Sequence, residues 1–93
     1  MRTIERTTRF RRDYKREAKG RYHTSLNDDV VAALRFLAYD LPLAERYRDH
    51  ALTGNWDGHR DCHIRPDLVL IYQKSDAETL RLVRLGSHSE LGL

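Results

Sequence analysis

Ninety-three residues with a formal net charge of +3 and a mean hydropathy of −0.73 suit one small domain with a modest core. No run of about 18 apolar residues occurs, so no membrane-spanning helix is expected, and residues 1–6 lack the apolar stretch of a secretory signal. The single cysteine, Cys62, cannot form an internal disulfide, which predicts a cytoplasmic protein.

The charge is unevenly placed. Residues 1–22 carry nine basic residues (Arg2, Arg6, Arg9, Arg11, Arg12, Lys15, Arg16, Lys19 and Arg21) against three acids. That is +6 out of a total of +3, leaving −3 for residues 23–93. A concentrated basic segment suits contact with a phosphate backbone, and Arg11, Arg12 and Lys15 are its candidate RNA-binding residues. The alternative is a solvated helix face.

In chain order, residues 2–7 alternate as a first strand. Residues 8–20 read as a helix, with Phe10, Tyr14 and Ala18 four apart and Gly20 closing the run. Residues 25–40 read as a second helix with Leu26, Val30, Ala33, Leu34 and Leu37 on one stripe. Ser25 or Asn27 caps it, Asp28 and Asp29 face its positive end, and Pro42 stops it. The short link between the two helices predicts an antiparallel pair.

Turn residues follow at 53–55 and 57–58. Residues 59–65, 67–73 and 79–85 then read as an antiparallel three-stranded meander. The expected fold is α+β, β-α-α-β-β-β in order, as one domain over residues 1–93. A helical hairpin packs on one face of a small twisted antiparallel sheet and leaves the other face available for a ligand.

Alternation along 59–65 places His59, Asp61, His63 and Arg65 on one face, and Arg60, Cys62 and Ile64 on the core face. Asp61 and His63 are then roughly 6.6 Å apart, room for a scissile phosphate and its neighbouring sugar. Asp67, in the turn after Pro66, falls near His63. His50 before the turn-rich segment and His88 after the last strand lie in loops that reach the same sheet end. Arg84 on the last strand is a candidate phosphate clamp or else a strand-edge charge.

No metal site is expected. His59 and His63 have the i, i+4 spacing of zinc helices, but on a strand they stand roughly 13 Å apart. Trp56 reads as a plug for the core in preference to a stacking platform, Tyr72 and Cys62 read as core, and His23 and His59 as surface residues.

Several imidazoles, carboxylates, an arginine and a basic flank, without a nucleotide loop, match RNA cleavage by internal attack. A base takes the 2′-hydroxyl proton, an acid protonates the leaving 5′-oxygen, and a cation holds the developing charge. The reaction demands RNA, since DNA lacks the 2′-hydroxyl.

The run Asp49, His50, Leu52, Gly54, Trp56, Gly58, Arg60, Asp61, His63, Ile64, Pro66, Asp67, Leu70, Ile71 and Tyr72, with Gly86, Ser87 and His88 downstream, resembles the YafQ group of the RelE/ParE toxin superfamily. The resemblance spans nearly the whole chain. It implies a type II toxin that cleaves messages held in the ribosomal A site, without cofactor or metal. It also implies a cognate antitoxin partner, with DNA reached only through that antitoxin and no membrane involved. The family's functional positions fall on His50, His63, Asp67 and His88, with Asp61 and Arg84 also matching.

On this resemblance His88 is the leading proton donor. His50 and His63 orient RNA and share proton transfer or charge stabilisation, and Asp67 fixes a histidine tautomer or acts as an acceptor. Leu68 and Gly92 stand where relatives carry aromatics, so base stacking is expected to differ. Two other readings stay open here: a toxin of the same fold that inhibits gyrase, and a non-catalytic RNA-binding module.

Overall fold

Thr7 ends the first strand and opens the first helix, because its Oγ1 accepts a hydrogen bond from the Phe10 N–H at 3.0 Å and so satisfies a helix N-terminus. The computed structural model describes all 93 residues. It places β1 at Thr3–Arg6, α1 at Thr8–Glu17, α2 at Leu26–Ala38, β2 at His50–Ala51, β3 at Arg60–Arg65, β4 at Leu68–Asp76, β5 at Thr79–Gly86 and α3 at His88–Leu91. Single 3-10 turns, Glu45–Tyr47 and Gly54–Trp56, flank β2. No helix is long and apolar enough to cross a membrane.

The predicted α+β class and the helical pair are present, and β3, β4 and β5 form the expected meander. The sheet itself is larger and mixed, with order β1-β5-β4-β3-β2. β1 pairs in parallel with β5, Thr3 opposite Thr79 through Arg6 opposite Leu82. That pairing joins opposite ends of the chain, so local alternation carries no sign of it. β2, only two residues long, sets His50 opposite Asp61. α1 stops at Glu17, short of Gly20. Ser25 begins α2 but does not cap it with its side chain; its Oγ accepts from Arg65 Nη2 instead.

The main core lies between the helices and one sheet face. Phe10, Leu26, Val30, Ala33, Leu34 and Leu37 meet Cys62, Ile64, Leu68, Leu70, Tyr72, Leu80, Leu82 and Leu85. Each fully buried Leu contributes about 1.5–3 kcal/mol relative to exposure. Leu68 belongs wholly to this core at 0 % exposure, so its position offers the groove no stacking surface. Gly92 adopts φ +71° just past α3, a left-handed cap suited to glycine.

The opposite sheet face departs from expectation. Val69, Ile71 and Leu91 form a second small buried cluster, with Leu52, Trp56 and Val83 packed against it. Trp56 donates its indole N–H to Leu91 O at 3.4 Å, consistent with a plug. The apolar residues of β4 point to both faces, and α3 closes over part of the second. What stays open is the end where β3 turns into β4.

Candidate active site

The polypeptide brings His50 into place through a short, well-anchored segment. Tyr47 is buried, Arg48 turns the chain through the left-handed region at φ +48°, and Asp49 is held by Tyr72 Oη–H at 2.5 Å and Arg60 Nε at 3.3 Å. His50 Nδ1 then lies 2.6 Å from Arg48 O and 3.2 Å from Asp61 Oδ1. A carbonyl only accepts, so Nδ1 carries the hydrogen and Nε2 is left with its lone pair.

Asp61 and His63 share the face predicted by alternation, but not as a matched pair lining a groove. Asp61 is 2 % exposed, with one carboxylate oxygen lacking a hydrogen bond. Of the two places expected for it, supporting or phosphate-binding, its burial suits the supporting one, beside the imidazoles. Burial pushes its pKa up, and the nearby His50, His63 and His88 oppose that rise. Burial lowers the His63 pKa, and Asp61 opposes that shift. A neutral His63 is therefore available as a proton acceptor near pH 7.

His88 is the first residue of α3, whose start is fixed by a capping box. Ser87 Oγ accepts from the Glu90 N–H, and the Glu90 carboxylate accepts from the Ser87 N–H. Asp67 Oδ1, from the turn after β3, accepts both the His88 backbone N–H at 3.0 Å and its Nδ1–H at 2.7 Å. The backbone bond and then the side-chain bond hold the Asp67 pKa below the usual carboxylate range. Nε2 of His88 is thus the atom free to meet a substrate. The His63 and His88 rings meet edge to face, centroids 4.9 Å apart.

His50, Asp61, His63, Asp67 and His88 are therefore brought to one sheet end. Arg84 is not among them as a free cation. Its guanidinium grips Asp13 of α1, Nε to Oδ2 at 2.7 Å and Nη2 to Oδ1 at 3.1 Å. The expected phosphate clamp is already occupied, because α1 presents a buried carboxylate to β5. Arg65 also departs from the predicted face. A register shift between His63 and Arg65 turns it toward α2, where Nε meets Asp29 Oδ2 at 2.8 Å. His59 falls outside β3 and its ring contacts Trp56.

An open groove of about 650 Å³ runs past the site, lined by Arg46, Arg48, His63, Ile64, Arg65, Pro66 and His88. Its arginine wall was missed by reading the sequence for the amino-terminal basic segment. The local signal was two arginines just upstream of His50. Arg11, Arg12 and Lys15 are exposed on α1, and Arg11 and Lys15 line a separate groove between α1 and α2 with Phe10, Tyr14, Val30 and Leu34.

The family model described as the bacterial toxin of type II toxin-antitoxin system, YafQ, matches residues 2–92. A putative toxin YafQ of Haemophilus influenzae is 42% identical over 87 residues, covering 90% of this chain and 85% of that protein. The mRNA interferase toxin YafQ of Escherichia coli K12 is 37% identical over 91 residues, covering 98% and 96%. The fold superposes on the toxin of the Escherichia coli DinJ-YafQ complex with a TM-score of 0.83, at 37% identity and 98% coverage of both chains.

A copper-bound mutant toxin from Helicobacter pylori superposes with a TM-score of 0.85 at 33% identity, covering 98% of this chain and 99% of that one. In the present structure no three His, Cys, Asp or Glu side chains are disposed to hold one metal ion. By the extent of these matches, the chain belongs to the YafQ family of bacterial toxins of type II toxin–antitoxin systems.

Proposed function

We propose that this toxin is an endoribonuclease that cuts messenger RNA in the ribosomal A site by internal attack of a 2′-hydroxyl on the adjacent phosphate. The observation that carries the reading is the pair of preset imidazoles. His50 is held by a carbonyl and His88 by a carboxylate, each through Nδ1, with His63 beside His88 at the mouth of a cationic groove.

In this reading His50 and His63 share removal of the 2′-hydroxyl proton. The 2′-oxygen bonds to phosphorus and the bond to the 5′-oxygen breaks. His88, as an imidazolium whose Nδ1–H is held by Asp67, delivers its Nε2 proton to that leaving oxygen and is left as the neutral Nδ1–H tautomer. The products are a 2′,3′-cyclic phosphate and a 5′-hydroxyl. Each correctly placed proton transfer is worth roughly 10²–10⁴-fold. Asp67 holds the His88 tautomer, and Asp61 sets the field behind the imidazoles.

The exposed Arg11, Arg12 and Lys15 suit ribosomal RNA phosphates, whose binding weakens as salt rises. Relatives named mRNA interferase toxins, and one solved with DinJ, support a messenger substrate and a silencing antitoxin partner. A gyrase inhibitor of the same fold has no use for two oriented histidines with a third beside them.

The test maps cuts on a translated message, with and without ribosomes, for the wild type and His88→Ala. The expected result is ribosome-dependent cleavage that falls roughly 10²–10⁴-fold in the variant while folding and antitoxin binding persist. Equal cleavage by both proteins, or none by the wild type, ends the proposal.

A further inference from the structure

Phosphodiester cleavage needs a cation at the phosphate, and with Arg84 held by Asp13 that cation must come from elsewhere. Three arginines line the groove beside His63 and His88, and they are not equivalent. Arg65 is paired with Asp29 and also donates to Ser25. Arg46 lies over the Tyr47 ring, 4.6 Å from its centroid, and donates to the Tyr47 hydroxyl at 3.1 Å. The Arg48 guanidinium has neither a carboxylate nor a hydrogen-bond partner, and the residue is exposed.

Its backbone makes the choice of residue more pointed. Arg48 sits at φ +48°, ψ +43°, in the left-handed region that favours glycine. A chain needing only the turn is better served there by a residue without a long side chain. Strain kept at a groove wall argues that the side chain has a task. The same turn aims the Arg48 carbonyl at His50 Nδ1, 2.6 Å away.

We infer that Arg48 is a phosphate-binding residue. Its guanidinium takes the non-bridging oxygens of the scissile phosphate, while its own carbonyl fixes the tautomer of His50. A planar fork of N–H donors matches two phosphate oxygens, which a point charge does not. Its charge also adds, after burial, to the lowering of the His63 pKa, which places it within electrostatic reach of the reacting groups. This assignment rests on the ribonuclease reading above.

The decisive comparison uses Arg48→Gly, which removes the guanidinium, relieves the backbone and keeps the carbonyl, beside Arg48→Lys and Arg65→Ala. Thermal melting, cleavage of a translated message, and binding of a short RNA carrying a 2′-deoxyribose at the cut position are measured for each. Arg48→Gly should melt at or above the wild type and lose cleavage by about 10²–10³-fold, the usual cost of one donor to a developing oxyanion. Arg48→Lys should recover part of the loss. Arg65→Ala, whose charge is already paired, should lose far less.

Wild-type cleavage rates in Arg48→Gly, or equal losses in Arg48→Gly and Arg65→Ala, overturn the assignment. If the wild type itself does not cut, the ribonuclease reading fails separately. The deoxy-substituted RNA then decides: weakened binding in Arg48→Gly alone keeps the phosphate site, and unchanged binding removes it.

Discussion

Two carboxylates are buried in this protein, Asp13 at 3 % exposure and Asp61 at 2 %. They are treated in opposite ways. Asp13 sits where α1 crosses the end of β5 and accepts from Arg84 twice, from Arg16 and from the Leu85 N–H. Burial pushes its pKa up, but those hydrogen bonds and the charges of Arg84 and Arg16 prevail and hold it below the usual carboxylate range. Asp61 has no cation beside it, only imidazoles, and one oxygen lacks a hydrogen bond. A saturated carboxylate of the first kind holds elements together. An unsatisfied one leaves its field directed at its neighbours, here three histidines, at the expense of stability.

The contrast is easiest to break at Asp13. Replacing it with alanine strands Arg84 and the Leu85 N–H, and should cost about 3–5 kcal/mol in urea denaturation. Cleavage per folded molecule should fall less than tenfold. A loss of cleavage as large as that of His88→Ala, without loss of stability, would make Asp13 part of the chemistry and erase the distinction.

Asp61→Asn tests the other pole, with a smaller and opposite effect on stability. Removing a buried, under-bonded charge should raise stability at pH 7 by about 1 kcal/mol. The raised pKa of Asp61 fixes the sign. Its ionisation penalty is present above the folded-state pKa and absent below the unfolded value of 3.8, so the variant's advantage shrinks as pH falls through that window. The same substitution removes the charge that opposes the effect of burial on His63. The acidic limb of the pH–rate profile should therefore move to lower pH. An unmoved limb would mean that the Asp61 charge does not act on the group that removes the proton.

The smallest effect is expected at Tyr72. Its hydroxyl reaches out of the core to hold Asp49, one residue before His50. Tyr72→Phe should cost about 1 kcal/mol and reduce cleavage only a few-fold, because Arg60 still holds Asp49. A loss near that of His88→Ala would mean that this one bond alone positions His50.

Much of the fold was legible because it is written in short-range periodicity. The stripe from Leu26 to Leu37 and the alternation from Arg60 to Ile64 read directly as helix and strand. The full extent of the family resemblance, from residue 2 to 92, was legible for the same reason: its motif is nearly continuous in sequence. His50, His63, Asp67 and His88 were named from that motif. Their convergence on one sheet end then followed from the meander's geometry.

Other features depended on contacts between distant segments. The parallel seating of β1 on β5, the capture of Arg84 by Asp13 and the turning of Arg65 to Asp29 join residues 36 to 76 positions apart, and no local pattern encodes them. By itself the sequence determined the two long helices, the main strands and which side chains have titratable chemistry to offer, while β2 and α3, expected as loops around His50 and His88, took shape only in the fold. Only the tertiary structure decided which charges are neutralised and which stay free. A charge's availability depends on what lies within about 4 Å of it in space, and that distance is set by packing.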